Sequence, residues 1–159
     1  MTKQTGISPS STNGNIVSKT VHINAPTSVV WETLTNRESM KRWMADSETE
    51  INIITDWKVG SPIIIRGTLH RVKFENKGIV LQFEPEKILQ YNHLSSISRL
   101  LPDIPESYTI IEFRLTPVNS QTELTLTASN FPTETIYKHF RFYWNVTLEL
   151  LKRMIEREG

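Results

Sequence analysis

Four histidines are the residues of this 159-residue chain best suited to acid–base or metal chemistry: His22, His70, His93 and His139. No two of them form a His-x-His or His-x3-His pair, the spacings that bring two imidazoles to one metal ion. The sequence therefore predicts no metal site. His70 and His93 fall in predicted strands and Tyr91 lies two residues before His93, so they could form one polar cluster. Such histidines are more often exposed or hydrogen-bonded in a core.

Motifs of nucleophilic and phosphate chemistry are missing from the sequence. It has no nucleophile elbow and no glycine-rich phosphate loop, since Gly60 and Gly67 stand alone in positions typical of a turn and of a bend in a strand. Acid–base catalysis needs two groups close together, and spacing alone does not place Glu84, Glu112 or Asp103 beside a histidine. We predict no catalytic residue and no cofactor, and a binding module is favoured over an enzyme.

The overall composition excludes several classes of protein. The chain has no cysteine, which excludes disulfide bonds, thiolate metal sites and cysteine nucleophiles and fits a reducing compartment. Its formal net charge is +1, so no basic surplus favours nucleic acid or an anionic membrane. No apolar run reaches the roughly 20 residues of a membrane helix. We predict a soluble, cytoplasmic protein with no nucleic-acid partner and no membrane insertion.

The chain is expected to have a short tail followed by one domain. Residues 1–15 are rich in Ser, Thr, Gly and Asn and contain almost no apolar residue, so we predict a disordered tail. Apolar and polar residues then alternate with the period of a strand up to Pro26, whose fixed φ suits the first turn of a helix. Asn36 is a candidate N-cap for a second short helix. Residues 16–159 are expected to form the single domain.

Strands dominate the middle of the sequence. Six more are predicted, at residues 48–55, 63–73, 77–84, 88–94, 107–116 and 121–130. Their short connections favour antiparallel pairing, because a parallel connection needs a longer crossover. Residues 95–106 form a longer, partly apolar linker that could act as a flap. Residues 133–158 repeat apolar positions at spacings of three and four, which predicts one long amphipathic helix covering a face of the sheet.

Several short motifs in this order have known counterparts. They are Ile23-Asn-Ala-Pro26, Val30-Trp31, Leu34-Thr35, Trp57-Lys-Val-Gly60, Gly78-Ile-Val-Leu-Gln-Phe-Glu-Pro85, Leu89-Gln-Tyr91 and Thr122-Glu-Leu-Thr-Leu-Thr127. Together with the order of elements, they resemble the START-like (SRPBCC) superfamily, which includes the birch-pollen-allergen and polyketide-cyclase families. Over about residues 17–156 the chain is similar to its Aha-type branch, the activator homologues of the heat-shock-protein-ninety ATPase.

The resemblance implies an α+β helix-grip fold, in which a curved antiparallel sheet of about seven strands wraps around the long C-terminal helix. In such proteins the helix closes over the sheet and leaves an apolar pocket. The residues of this chain that would line the pocket are Trp31, Trp43, His70, Tyr91, His93, Phe113, Phe140 and Trp144. The alternative is that the aromatic residues form an ordinary core, since aromatic side chains usually do.

Three functions are compatible with this fold, because one scaffold serves many activities. The first is a module that binds a small apolar or amphipathic molecule in the pocket, without a cofactor. The second, implied only by likeness to the activator homologues, is a chaperone-interaction module that uses the outer sheet face and loops. The third is a cyclase- or aromatase-like enzyme in which His70 or His93 moves protons. We expect a monomer or a weak homodimer.

Overall fold

The computed structural model describes residues 12–45, 49–69, 71–95 and 101–158 of the chain. Its strands are β1 (Thr12–Ile23), β2 (Glu50–Ile54), β3 (Pro62–Leu69), β4 (Val72–Glu84), β5 (Ile88–Ser95), β6 (Thr109–Val118) and β7 (Gln121–Phe131). Its helices are α1 (Thr27–Thr35), α2 (Arg37–Met44) and α3 (Glu134–Glu158), and a short 3₁₀ turn lies at Pro105–Ser107. Two short helices thus follow β1, and a long helix follows the last strand.

The described strands form one antiparallel sheet in the order β1-β7-β6-β5-β4-β3-β2. Strands β2 to β7 are a meander in which each strand pairs with the next, and β1 pairs with β7. The predicted seven-stranded antiparallel sheet with a long C-terminal helix is confirmed, and the architecture is α+β and helix-grip-like. Because β1 and β2 are the two edges of the sheet, α1 and α2 connect its opposite sides.

Strand β1 starts earlier than the sequence predicts. It begins at Thr12, which pairs with Phe131, so residues 12–15 of the predicted tail belong to the strand. Residues 1–11 lie outside the described residues. The polar start of β1 is held by its pairing with β7, a contribution from a distant part of the chain that composition does not reveal. Further along, Val21 and Ile23 are buried and alternate with exposed neighbours, as predicted.

Local signals explain the two short helices. Pro26 is the N-cap residue of α1, and its carbonyl oxygen accepts a hydrogen bond from the backbone N–H of Val30 at 3.2 Å. The side chain of Asn36 accepts hydrogen bonds from the backbone N–H groups of Glu38 and Ser39 at 3.0 and 3.1 Å. The predicted N-cap of α2 is therefore confirmed, and this capping satisfies two donors that the helix itself leaves unpaired.

The turn between β3 and β4 corrects a sequence prediction. The sequence predicts one strand over residues 63–73 and a break at residues 75–76. In the structure β3 ends at Leu69, which pairs with Val72, and β4 continues without a break through residues 75–76. Arg71 adopts a left-handed φ of 67° in this tight turn. That conformation is uncommon for a residue with a side chain, and no glycine or proline marks the position.

Helix α3 packs on the sheet through its apolar face. Trp144, Leu148, Leu151 and Ile155 are at most 2% exposed and repeat at spacings of four and three residues, as a buried helical face requires. At the far end of the helix, the Glu156 carboxylate accepts a hydrogen bond from the backbone N–H of Asn24 at 2.8 Å. This contact joins the end of α3 to the turn that follows β1.

Strands β4 and β5 approach each other closely at Gly78. A Cβ atom at this position would overlap the backbone carbonyl oxygen of Asn92. The side chain of Asn92 also accepts a hydrogen bond from the backbone N–H of Ile79 at 2.7 Å. Glycine is therefore required here by lack of space. The contact fixes β4 against β5, the strand that carries Tyr91 and His93.

Candidate functional site

A cavity of about 560 Å³ lies between the sheet and the first half of α3. Apolar side chains supply much of its wall: Met44, Ala45, Ile51, Ile65, Phe74, Leu101, Ile111, Ile136 and Phe140. The wall residues with polar atoms are Thr49, Asn76, Tyr91, His93, Ser95, Ser107, Thr109, Thr135, His139, Tyr143 and Trp144. Strands β2 to β6 and helices α2 and α3 all contribute, so no single segment of the sequence encodes the cavity.

The residues predicted to line a pocket divide into three groups. Four lie in the wall of this cavity, namely Tyr91, His93, Phe140 and Trp144. Three others are buried in the core and are not among the described wall residues, namely Trp31, Trp43 and Phe113. The eighth, His70, lies outside the described residues. The structure thus brings four of the predicted side chains together around one space.

Trp43 and Phe113 pack behind Trp144. The ring centroid of Trp144 lies 6.2 Å from that of Trp43 and 5.5 Å from that of Phe113, and the Trp43 and Phe113 centroids are 6.2 Å apart. The Trp43 indole Nε1–H also donates a hydrogen bond to the carbonyl oxygen of Thr33 at 2.9 Å. These two aromatic residues therefore support a wall residue instead of lining the cavity.

Trp31 belongs to a second aromatic group. Its ring meets that of Phe83 edge-on, with 5.2 Å between the centroids, and Phe83 stacks on Trp57 at 5.6 Å. The Trp57 indole N–H donates a hydrogen bond to the carbonyl oxygen of Thr35 at 2.9 Å. Trp31 therefore joins α1 to β4 and to the segment after β2, which is a packing role.

The buried titratable groups of the wall are held in their neutral forms. Burial lowers the pKa of His93 to about 4, with a smaller contribution from nearby His139, so the His93 imidazole is uncharged at pH 7. Burial raises the pKa of Tyr143 to about 12 and also raises the pKa of Tyr91. No aspartate, glutamate, lysine or arginine occurs among the described wall residues. The buried part of the wall therefore offers hydrogen bonds but no formal charge.

Sequence reasoning did not predict most residues of this wall, and Tyr143 and Asn76 are two of those that it missed. The Tyr143 hydroxyl donates a hydrogen bond to the carbonyl oxygen of Met44 at 2.6 Å, which joins α3 to the end of α2 beside the cavity. Its position three residues after Phe140 on the apolar face of α3 is the signal that identifies it. Asn76 pairs with Ser95 in the middle of a strand, whereas its polar character indicated a turn. No local feature of the sequence tells whether an asparagine will lie within a strand or in a turn.

Two polar atoms of wall residues are buried and have no hydrogen-bond partner in the part of the chain that the structure describes. They are Oδ1 of Asn76, an acceptor, and Nε1 of Trp144, a donor. Leaving a buried polar group unpaired costs about 1–3 kcal/mol. Buried polar groups are usually paired in proteins, so these two exceptions in one cavity wall require an explanation.

The described residues offer neither a metal site nor a membrane-spanning helix. They contain no group of three or more His, Cys, Asp or Glu side chains that could hold a metal ion. None of the described helices combines the length and the apolar character needed to cross a bilayer.

Solved structures share this architecture. The solution structure of ChR145 from Cytophaga hutchinsonii is 38% identical in sequence, with a TM-score of 0.76 over 91% of this chain and 95% of that one. The solution structure of the Aha1 dimer from Colwellia psychrerythraea is 25% identical, with a TM-score of 0.68 over 89% and 96%. The crystal structure of NE0264 from Nitrosomonas europaea is 22% identical, with a TM-score of 0.72 over 91% and 96%. No curated protein matches this sequence.

A family model described as "Activator of Hsp90 ATPase homolog 1-like protein" matches residues 24–156. The matched range runs from the turn after β1 to the last turns of α3. It includes every described element that contributes to the cavity wall. The resemblance to the Aha-type branch of the START-like superfamily is thereby confirmed, and the chain belongs to the family of Activator of Hsp90 ATPase homolog 1-like proteins.

Proposed function

We propose that this protein binds a small apolar or amphipathic molecule in the cavity between the sheet and α3. The observation that carries the proposal is the cavity of about 560 Å³ with its largely apolar wall. Ligand sites of proteins typically have about 300–1,000 Å³ and combine many apolar side chains with a few polar groups. Apolar surface removed from water would supply most of the affinity, at about 25 cal/mol per Å².

The position of the cavity also supports binding. Its wall joins two layers of the fold, since Tyr91 and His93 lie on β5 whereas Phe140 and Trp144 lie on α3. These side chains are held from behind by the core, as Trp144 is by Trp43. A wall fixed in this way is formed before a ligand arrives, so little ordering entropy is lost on binding.

Filling the cavity is expected to weaken binding. Thr109 is 2% exposed, lines the cavity and lies in β6, where the pleat keeps its side chain on the inner face. We expect Thr109→Phe to weaken binding of the neutral fluorescent probe N-phenyl-1-naphthylamine about tenfold or more, because the added ring occupies the site. Fluorescence titration measures the affinity, and native mass spectrometry tests for one ligand per chain.

The matched control is Thr116→Phe. Thr116 lies in the same strand but is exposed, so the same substitution should leave probe affinity unchanged. Thermal unfolding of both variants confirms that each is folded. If wild type does not bind the probe, or if Thr109→Phe binds it as tightly as wild type, the proposed site is wrong.

A second function, contact with a protein partner, is favoured by a different observation. Phe142, Val146 and Leu150 repeat every four residues on α3 and are 72%, 54% and 42% exposed, which makes an apolar stripe on the outer side of the helix. Exposed apolar patches often mark interaction sites. The family description names activators of the Hsp90 ATPase, so the partner that we propose for this stripe is a chaperone of that type.

Breaking the stripe is expected to abolish such an activity. We expect the wild-type chain to stimulate the ATPase of an Hsp90-type chaperone, and Phe142→Glu to remove most of the stimulation because it replaces the most exposed apolar side chain of the stripe with a charge. Val59→Glu is the matched control, since Val59 is 64% exposed and lies in the turn after β2. No stimulation by wild type, or full stimulation by Phe142→Glu, would contradict the proposal.

Self-association is the competing use of the same stripe. The Colwellia psychrerythraea relative was solved as a dimer. Analytical ultracentrifugation of wild type and Phe142→Glu distinguishes the two uses, because a dimer held by the stripe would become a monomer in the variant.

A further inference from the structure

We propose that the ligand of this cavity is an uncharged molecule with an apolar body and a hydroxyl group, and that the hydroxyl binds a polar strip formed by Asn76, His93, Thr109 and Trp144. The inference rests on the proposed binding function and adds to it the chemical class of the ligand. It follows from the placement of the polar strip, from its unpaired atoms and from the charge of the surrounding wall.

Strand register places the members of the polar strip side by side. Asn76 of β4 pairs with Ser95 of β5, and His93 of β5 pairs with Thr109 of β6. Residues 93 and 95 share one face of β5, because side chains alternate along a strand, and both line the cavity. Trp144 of α3 belongs to the same cavity wall. Polar residues from three neighbouring strands and from the helix therefore belong to one cavity wall.

The unpaired atoms of the polar strip require both a donor and an acceptor. Asn76 Oδ1 can only accept a hydrogen bond and Trp144 Nε1–H can only donate one, and neither has a partner among the described residues. A hydroxyl is the smallest group that offers both functions. The terminal torsion of an asparagine side chain is soft, so rotation of the Asn76 amide turns its oxygen toward a bound molecule.

His93 and Thr109 add adaptable partners to the polar strip. A neutral imidazole carries one N–H donor and one nitrogen acceptor, and a threonine hydroxyl rotates to donate or accept. Burial lowers the pKa of His93, so the neutral form is present at pH 7. The ring of His93 is held edge-on against Phe140 with 5.5 Å between the centroids, which keeps it in the wall.

The same wall discriminates against anionic ligands such as fatty acids. The described wall residues include no lysine or arginine that could pair with a carboxylate. The other titratable groups of the described wall are Tyr91, on the same face of β5 as His93, and Tyr143 and His139 of α3. Burial raises the pKa of both tyrosines. Transfer of a carboxylate from water into such a site, without a paired cation, is strongly unfavourable.

Three ligands of similar shape test the inference. They are 2-naphthol, naphthalene and 2-naphthoate, which differ in carrying a hydroxyl, no polar group or a carboxylate. We expect wild type at pH 7 to bind 2-naphthol about tenfold or more tightly than either of the others, as measured by tryptophan fluorescence and calorimetry. In Asn76→Leu the preference for 2-naphthol over naphthalene should fall to about threefold or less, while naphthalene still binds.

Two further variants make the test decisive. Asn52→Leu is the matched control, because Asn52 is exposed on β2, and it should keep the wild-type preference. Trp144→Phe removes the indole N–H but keeps an aromatic ring, so it should lose the preference independently of Asn76. Thermal unfolding establishes that each variant is folded.

The outcomes separate this inference from the function on which it rests. Equal binding of 2-naphthol and naphthalene by wild type, or tightest binding of 2-naphthoate, would overturn the hydroxyl assignment while leaving a ligand-binding cavity in place. A preference that survives unchanged in both Asn76→Leu and Trp144→Phe would remove the polar strip from recognition. Failure of wild type to bind any of the three, together with N-phenyl-1-naphthylamine, would reject the binding function itself.

Discussion

Acidification from pH 7 to pH 4 is expected to lower the free energy of unfolding by about 3 kcal/mol through His93 alone. Burial lowers the pKa of His93 to about 4 in the folded protein, whereas an unfolded histidine titrates near about 6.5. The unfolded chain therefore binds this proton first as the pH falls. The stabilisation is complete above about pH 6.5 and is lost as the pH decreases toward 4. Urea denaturation at a series of pH values measures the change.

The variant that isolates this effect is His93→Phe, which keeps an aromatic ring beside Phe140 but cannot be protonated. The comparison with wild type is necessary because hydrogen bonds lower the pKa of Asp103 and Glu156, and both carboxylates lose their stabilising contribution in acid in either protein. An equally steep loss of stability in His93→Phe would show that His93 is not buried in its neutral form.

The second large effect is expected at Trp43, where Trp43→Ala should lower the free energy of unfolding by about 3–5 kcal/mol. Trp43 is 1% exposed and packs against both Phe113 and Trp144, so its removal leaves a cavity that the neighbouring aromatic rings cannot fill. It also removes the hydrogen bond to the carbonyl oxygen of Thr33, which stays buried. Urea denaturation of wild type and variant at pH 7 measures the loss.

Two further substitutions help to interpret the loss of stability in Trp43→Ala. One tests the hydrogen bond of Trp43, and the other is a control at an exposed position. Trp43→Phe keeps a ring in the core and removes the indole N–H, so the hydrogen bond to Thr33 should account for about 1 kcal/mol of its effect. Phe142→Ala removes an aromatic side chain that is 72% exposed and should change stability by no more than about 0.5 kcal/mol. A small loss in Trp43→Ala, comparable with that of Phe142→Ala, would contradict the packing described for Trp43.

Elements whose ends depend on neighbours in sequence were predictable. Pro26 lies at the start of α1 and Asn36 caps α2, as expected. Both were predictable because each residue acts on backbone groups no more than four residues away. The turn between β6 and β7 was expected at residues 117–120 and lies between Val118 and Gln121, which pair with each other. The turn after Leu69 was not predictable, because pairing of β3 with β4 holds a non-glycine residue in a left-handed conformation there.

The candidate site was predictable only in part. The resemblance pointed to a set of aromatic residues, of which Phe140 and Trp144 lie in the cavity wall whereas Trp43 and Phe113 lie in the core. Burial is common to both groups, so hydrophobicity does not separate a core residue from one that borders a cavity. Only the packing of α2 and α3 over the sheet decides which aromatic rings meet each other and which border empty space.

The amino-acid sequence by itself determined the order of elements, the antiparallel connectivity, the apolar face of α3 and the family, because periodicity, caps and short connections are local properties. The tertiary structure decided the cavity and its chemistry. Strand register places Asn76 beside Ser95 and His93 beside Thr109, although each pair is separated by many residues. Burial then decides that His93 is neutral, because the free energy of ionisation depends on surroundings that the whole fold supplies.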